Sequence, residues 1–203
     1  MEAIAIQKNQ SQGTMFSAGE SKPAKRITWE EFQKKYLSRE DKYKYEWVDG
    51  MVVKTKRTMD YSQIFILKNL VDFFNNLASK NNVHGMLISE VDTFFLENHR
   101  RPDIAWFTDE QIVLARQGVK PVPKFVIEVI STKDQMNLVE DKMDDYRAAG
   151  VGVVWQIFPK FEKVHVYAGD NLDSMIVCKG ERLCSAAPVL PDFVMQAGDI
   201  FKA

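Results

Sequence analysis

Apolar positions change their period several times along the chain, and each change predicts an element. Between Asp60 and about Lys80, Ile64, Leu67, Leu70, Val71, Phe74 and Leu77 recur every three to four residues. That is the rhythm of one helix face, and Asp60 or Ser62 is available as its N-cap. A helix that is apolar on one side needs a surface to cover. Short β-rich runs supply one: GMLIS, VDTFFLE, DIAWF, FVIEVI, VGVVWQIF and KVHVYAG, separated by turn-forming or charged residues. Upstream, YKYEWV and MVVKT flank Asp49-Gly50, and a DG pair between β-prone runs predicts a hairpin over residues 43 to 55.

Two further helices follow from the same reading. Thr28 and Glu31 form a capping-box pair ahead of Trp29, Phe32 and Tyr36, so a short helix is expected there. Residues 135 to 149 place Leu138, Met143 and Tyr146 among charges and stop at Gly150. This helix lies between two of the most apolar strands, and strand, helix, strand with no hairpin predicts a parallel crossover. The stretch between DIAWF and FVIEVI reads as a loop. Residues 1 to 25, rich in Gln, Ser, Gly and Lys and without apolar period, read as a flexible leader, and 26 to 203 as one domain. The expected fold is α/β (α+β), with a central mixed β-sheet flanked by helices.

Composition narrows the classes. With 203 residues, 45% hydrophobic and 27% charged, the chain suits a folded domain. Its 27 Lys and Arg nearly cancel 28 Asp and Glu, so no global positive field marks a nucleic-acid binder, and any such binding must be local. The greasiest run, Ile64 to Phe74, is interrupted by Lys68, Asn69 and Asp72, which excludes a membrane-spanning helix. Only Cys178 and Cys184 are present, without a CxxC pair, and no signal-peptide core opens the chain. A cytoplasmic setting is expected. His84, His99 and His165 lack metal-ligand spacing, and there is no GxxxxGK[ST] or GxGxxG phosphate loop.

The chemistry concentrates in RPDIAWF, residues 101 to 107, and PKFVIEVIS, residues 123 to 131. Each carries one carboxylate in an apolar strand, and a buried unpaired charge there would cost several kcal/mol. If the two strands are neighbours, Asp103 and Glu128 converge and repel unless a cation neutralises them. A hard divalent ion, Mg²⁺ or Mn²⁺, is the economical answer. Lys142, fourteen residues beyond Glu128, is placed to point back from the crossover helix, and Tyr146 lies on the same helix face at i+4. Arg100 and Arg101 precede Asp103 directly, where they could touch a phosphate.

The ordered string YEWVDGMVV, RPDIAWF, KFVIEVIS, Lys142, Tyr146-Arg-Ala-Ala-Gly150-Val, VVWQIFP and LPDFVMQAGDIF resembles the restriction-endonuclease family of the Uma-two type, within the PD-(D/E)XK nuclease superfamily. The resemblance covers about residues 28 to 202. It implies a metal-dependent endonuclease core hydrolysing phosphodiesters of nucleic acid, with DNA the expected substrate. In it Asp103 and Glu128 take the motif's acids and hold the metal, and the lysine is displaced to Lys142, since Ile130 occupies the usual position two residues after the acid. Glu46 matches a recurrent acidic position and is an auxiliary candidate, as is Tyr146. The sequence departs from the family at Phe158, where Asp is usual, and at SQIF, residues 62 to 65, in place of Ser-x-x-His.

Blander alternatives remain open at this level. Asp103 also reads as a turn-capping strand start, Lys142 as an exposed helix lysine and Tyr146 as a core residue. The chain as a whole also reads as a catalytically degenerate nuclease fold that binds nucleic acid or protein, or as one whose carboxylates are only ion-paired to Lys142 or to Arg100 and Arg101. A homodimer is expected if both strands of a duplex are cut.

Overall fold

The fold was obtained as a computed structural model, which describes residues 25–56, 61–132 and 134–203, with the backbone alone for 61–63. The expected leader therefore lies almost wholly outside the described residues, as does Asp60 as a helix cap. Chain order is α1 (Trp29–Phe32), continued by a π-helical turn (Gln33–Leu37), then β1 (Tyr43–Val48), β2 (Met51–Lys56), α2 (Tyr61–Ser79), β3 (Met86–Ser89), β4 (Thr93–Phe95), β5 (Asn98–Arg100), β6 (Ile104–Phe107) and α3 (Asp109–Arg116). There follow β7 (Phe125–Val129), α4 (Met136–Ala148), β8 (Val153–Phe158), β9 (Lys163–Ala168), β10 (Ser174–Lys179), β11 (Leu183–Ala186), β12 (Leu190–Gln196) and α5 (Ala197–Ile200).

Six strands form a mixed central sheet in the order β10-β9-β8-β7-β6-β3. Within it β7 and β8 run parallel, joined by α4 as the crossover, and the other neighbours are antiparallel. The sheet is covered on both sides. On one face Ile66, Leu70 and Phe74 of α2 join Phe125, Ile127, Trp155 and Ile157, closed off by the β11–β12 hairpin through Phe193 and Met195. On the other, Met143 and Tyr146 of α4 meet Val126, Val154 and Phe95. Because side chains alternate along a strand, Phe125 and Ile127 face α2 while Val126 and Glu128 face α4. That parity places a carboxylate in the layer beneath α4.

The β1–β2 hairpin turns at Asp49 and Gly50, both at positive φ as a tight primed turn requires. It does not join the central sheet. With β4 and β5 it builds a separate four-stranded antiparallel sheet in the order β2-β1-β5-β4, so the expectation of one sheet gives way to a large and a small one, plus the β11–β12 pair. The run VDTFFLE is not one strand either, because the chain reverses after Phe95 with Leu96 at positive φ and returns as β5. The loop expected between β6 and β7 contains α3. Its start is fixed by a reciprocal capping box, in which the Thr108 hydroxyl accepts the Gln111 N–H and the Gln111 side chain accepts the Thr108 N–H. The same device starts α1, at Thr28 and Glu31. Among the described residues no helix is long and apolar enough to cross a membrane.

Candidate active site

The chain leaves the small sheet at Arg100 and enters the central sheet at Ile104, and the three residues between them set the site. Ile104 pairs with Ile127 in antiparallel register, which brings Asp103 beside Glu128. Asp103 is fixed at this junction from both ends. Its carbonyl accepts the Glu90 N–H at 3.0 Å and its Oδ2 accepts the Val129 N–H at 2.8 Å. Its Oδ1 accepts from the Lys44 ammonium at 2.8 Å. The Asp103 side chain remains 31% exposed, whereas those of Glu128 and Glu46 are 7% and 2% exposed. Solvent therefore reaches the cluster from the Asp103 side.

Glu128 is met by α4. The Lys142 ammonium lies 3.1 and 3.2 Å from its two carboxylate oxygens, and the Tyr146 hydroxyl donates a short hydrogen bond to Oε1. Lys142 also reaches Oε1 of Glu46 at 3.3 Å. Glu46 comes from β1, two residues after Lys44 on the same strand face, and its Oε1 accepts the Arg101 N–H at 2.9 Å. Asp103, Glu128, Lys142, Glu46 and Tyr146, the residues singled out in the sequence, thus converge between the two sheets and α4.

The two arginines are held elsewhere in the network. Arg100 is buried, with its Nε on Asp145 at 2.6 Å and Nη1 on Glu46 at 3.3 Å, and Asn98 donates to the other oxygen of Asp145. Arg101 is bound through its side chain to Asp92, which also pairs with His99. Both guanidinium groups are engaged by carboxylates in this structure. Sequence reasoning did not single out Lys44, Asp145 or Asp92. For Lys44 a signal existed: with Glu46 taken as pointing inward, a period of two in YKYEWV turns Lys44 to the same face.

The charges respond to this packing. Burial would raise the Glu46 carboxyl, but Lys142, Lys44 and Arg100 outweigh it and hold it down at about 2. For Asp103 burial is likewise overcome, by Lys44 and Lys142, and its carboxyl is lowered. Glu128 goes the other way: burial, reinforced by the charge of Asp103, raises it despite Lys142. Burial would lower the Lys142 ammonium, yet Glu128, Glu46 and Asp103 raise it, so it stays charged at neutral pH and cannot serve as a base. Tyr146 is raised well above its ordinary range by burial and by Glu128, which keeps it a neutral donor.

Among the described residues no three His, Cys, Asp or Glu side chains converge as a ready cation cage. What the site offers is two neighbouring carboxylates and strand carbonyls. These are hard oxygen donors suited to Mg²⁺ or Mn²⁺ and unsuited to soft metals. Four carboxylates, Glu46, Asp103, Glu128 and Asp145, meet three cations, Lys44, Lys142 and Arg100, so the ionised cluster carries one negative charge in excess. On that ground the donor set fits a hard divalent ion.

Comparison with known proteins places this architecture. A crystal structure from Anabaena variabilis ATCC 29413, described as "a putative nuclease belonging to DUF820", matches with a TM-score of 0.70 at 19% identity, covering 86% of this chain and 97% of that one. At that identity the likeness shows a shared fold. No curated protein matches the sequence. A family model described as "Putative restriction endonuclease" matches residues 29–198, which hold every side chain of the site, and with that span the chain belongs to the Uma2 family.

Proposed function

We propose that this chain is a divalent-metal-dependent endonuclease of the PD-(D/E)XK type that hydrolyses phosphodiester bonds of nucleic acid, with DNA as its substrate. The observation that supports it most is the pairing of Asp103 with Glu128 across neighbouring strands, capped by Lys142. Asp103, Glu128 and the carbonyl of Val129 or Ile130 would hold Mg²⁺ or Mn²⁺, which when bound supplies Lewis acidity toward a phosphoryl oxygen and a water of lowered pKa.

The residues supply the rest. Asp103 is pre-aimed by the Val129 N–H and Glu128 by Tyr146, so neither must reorganise. Lys142 holds Glu128 and Glu46 in place as a permanent cation. In the reaction one water adds across a P–O bond: its oxygen bonds to phosphorus, the bond to the leaving sugar oxygen breaks, that oxygen takes a proton from solvent, and the water gives one proton to solvent while the other stays on the new phosphate monoester. The formal charge of −1 becomes about +1 with one such ion aboard, so attraction to nucleic acid is local. Cutting both strands of a duplex would call for two copies of the chain.

One observation favours a second reading. Glu46, Asp103, Glu128 and Asp145 already face Lys44, Lys142 and Arg100, which nearly balances the cluster without metal. A degenerate nuclease fold serving as a binding module would look the same. Supercoiled and linear DNA incubated with Mg²⁺ or Mn²⁺ decides between them, together with calorimetric titration of Mn²⁺. The nuclease reading expects metal-dependent cleavage and Mn²⁺ uptake, both abolished in Asp103→Asn and Glu128→Gln. Cleavage undiminished in those variants sinks the assignment, and a wild type with neither property is the binding module.

A further inference from the structure

The two lysines of the site are not equivalent. Three carboxylate oxygens lie within 3.3 Å of the Lys142 ammonium, two from Glu128 and one from Glu46. Two of these contacts are hydrogen bonds to Glu128 and the third is an ion pair with Glu46, so two buried carboxylates hold the Lys142 ammonium between them. Both of those partners, Glu46 and Glu128, are almost fully buried, although the Lys142 side chain is itself 17% exposed against 10% for Lys44. Lys44 differs in its partners. Among the described residues its ammonium has one acceptor, Oδ1 of Asp103 at 2.8 Å, which leaves two N–H groups uncommitted. It pairs with the one carboxylate of the three that reaches solvent. The Lys44 stem is itself buried, and β1 fixes it by pairing with β2 on one side and β5 on the other, so the charge is aimed and not a waving surface lysine.

We infer that Lys44 is the substrate-contacting catalytic lysine of this site and Lys142 a positioning residue. The inference rests on the nuclease reading above. In the metal-free protein Lys44 neutralises Asp103. With a divalent ion on Asp103 that counter-charge is superfluous, and the ammonium is free to donate to the phosphoryl oxygen on which negative charge grows during attack. Ile130 stands where the motif's own lysine would be, so the post left vacant on β7 is filled from β1, a different strand of a different sheet.

The test compares wild type with Lys44→Met, using single-turnover cleavage of end-labelled duplex DNA at saturating Mn²⁺, calorimetric titration of Mn²⁺ without DNA, and thermal unfolding. In Lys44→Met, kcat is expected to fall roughly 100-fold with KM little changed, as for loss of one transition-state donor. Mn²⁺ is expected to bind about tenfold tighter, because a competing positive charge beside Asp103 is gone. A counter-ion role alone would give the tighter Mn²⁺ binding with an unchanged rate, and that result overturns the inference. Should Met disturb folding, Lys44→Gln carries the same expectations and the same overturning result, since it offers Asp103 a neutral donor. A wild type that takes up Mn²⁺ and cuts, beside a Lys44 variant that cuts equally well, defeats the Lys44 assignment only. A wild type that never cuts defeats the nuclease reading and the Lys44 assignment with it.

Discussion

Lys142 and Glu128, fourteen residues apart, meet with the ammonium 3.1 and 3.2 Å from both carboxylate oxygens, although one stands on a helix and the other in the middle of a sheet. Removing one partner of such a buried pair leaves the other uncompensated. Lys142→Met is therefore expected to lose about 3 kcal/mol of stability in urea unfolding. Combining it with Glu128→Gln should return much of that loss, because the orphaned charge is then gone. Strict additivity of the two changes would show that the pair is not coupled.

Glu46 and Glu128 should act on stability with opposite sign. The Glu46 carboxyl is held at about 2 against its ordinary 4.5, so its contribution is present above 4.5 and is lost as pH falls toward 2. Glu128 is raised, so its ionised form costs stability at neutral pH, and protonation as pH falls relieves that cost. Glu46→Gln is expected to cost about 3 kcal/mol at pH 7 and to flatten the acid limb of the stability curve. Glu128→Gln at the same pH should cost much less, because Lys142 keeps Glu46 as a partner. An equal cost for both variants would contradict the electrostatic account.

Tyr146 donates to Glu128 from within the core under α4. Tyr146→Phe keeps the ring against Phe95 and removes only the hydroxyl, at an expected cost of about 1.5 kcal/mol. Since that hydrogen bond favours the ionised carboxylate, its loss should raise the Glu128 carboxyl further. Carbon-13 NMR of the glutamate carboxyls, followed against pH, reads this shift. A Glu128 titration unmoved by the change would mean that the hydroxyl does not hold the charge.

Gly85, where the chain enters β3, has φ +86, and a Cβ there would lie 2.1 Å from the Phe107 carbonyl oxygen at the end of β6. The β3–β6 pairing needs this close approach. Gly85→Ala is expected to cost at least about 2 kcal/mol, through the clash and the left-handed backbone together. Hydrogen exchange should show the loss first in the amides of Met86 to Ser89. Wild-type protection there would refute the argument.

The sequence by itself determined what depends on neighbours in the chain. The DG turn, the Thr28 capping box, the amphipathic faces of α2 and α4 and the strand parity that turns Glu128 inward are all local rules of period and turn chemistry. The helix α3 was not predicted, although its Thr108 and Gln111 carry the same local capping signal that marked α1. The β4–β5 reversal escaped because it turns at Leu96, a residue with no turn preference to announce it. Tertiary structure decided which strands pair, and with that the composition of the site. Nothing local says that Tyr43–Val48 joins Asn98–Arg100 and not the central sheet, so the meeting of Lys44 with Asp103, fifty-nine residues away, was not legible. The same holds for Arg100, whose position beside Asp103 suggested phosphate but whose burial commits it to Glu46 and Asp145. Periodicity says which face a charge occupies, and the packing of that face against another element decides which charges it must meet, because burial makes every unpaired one costly.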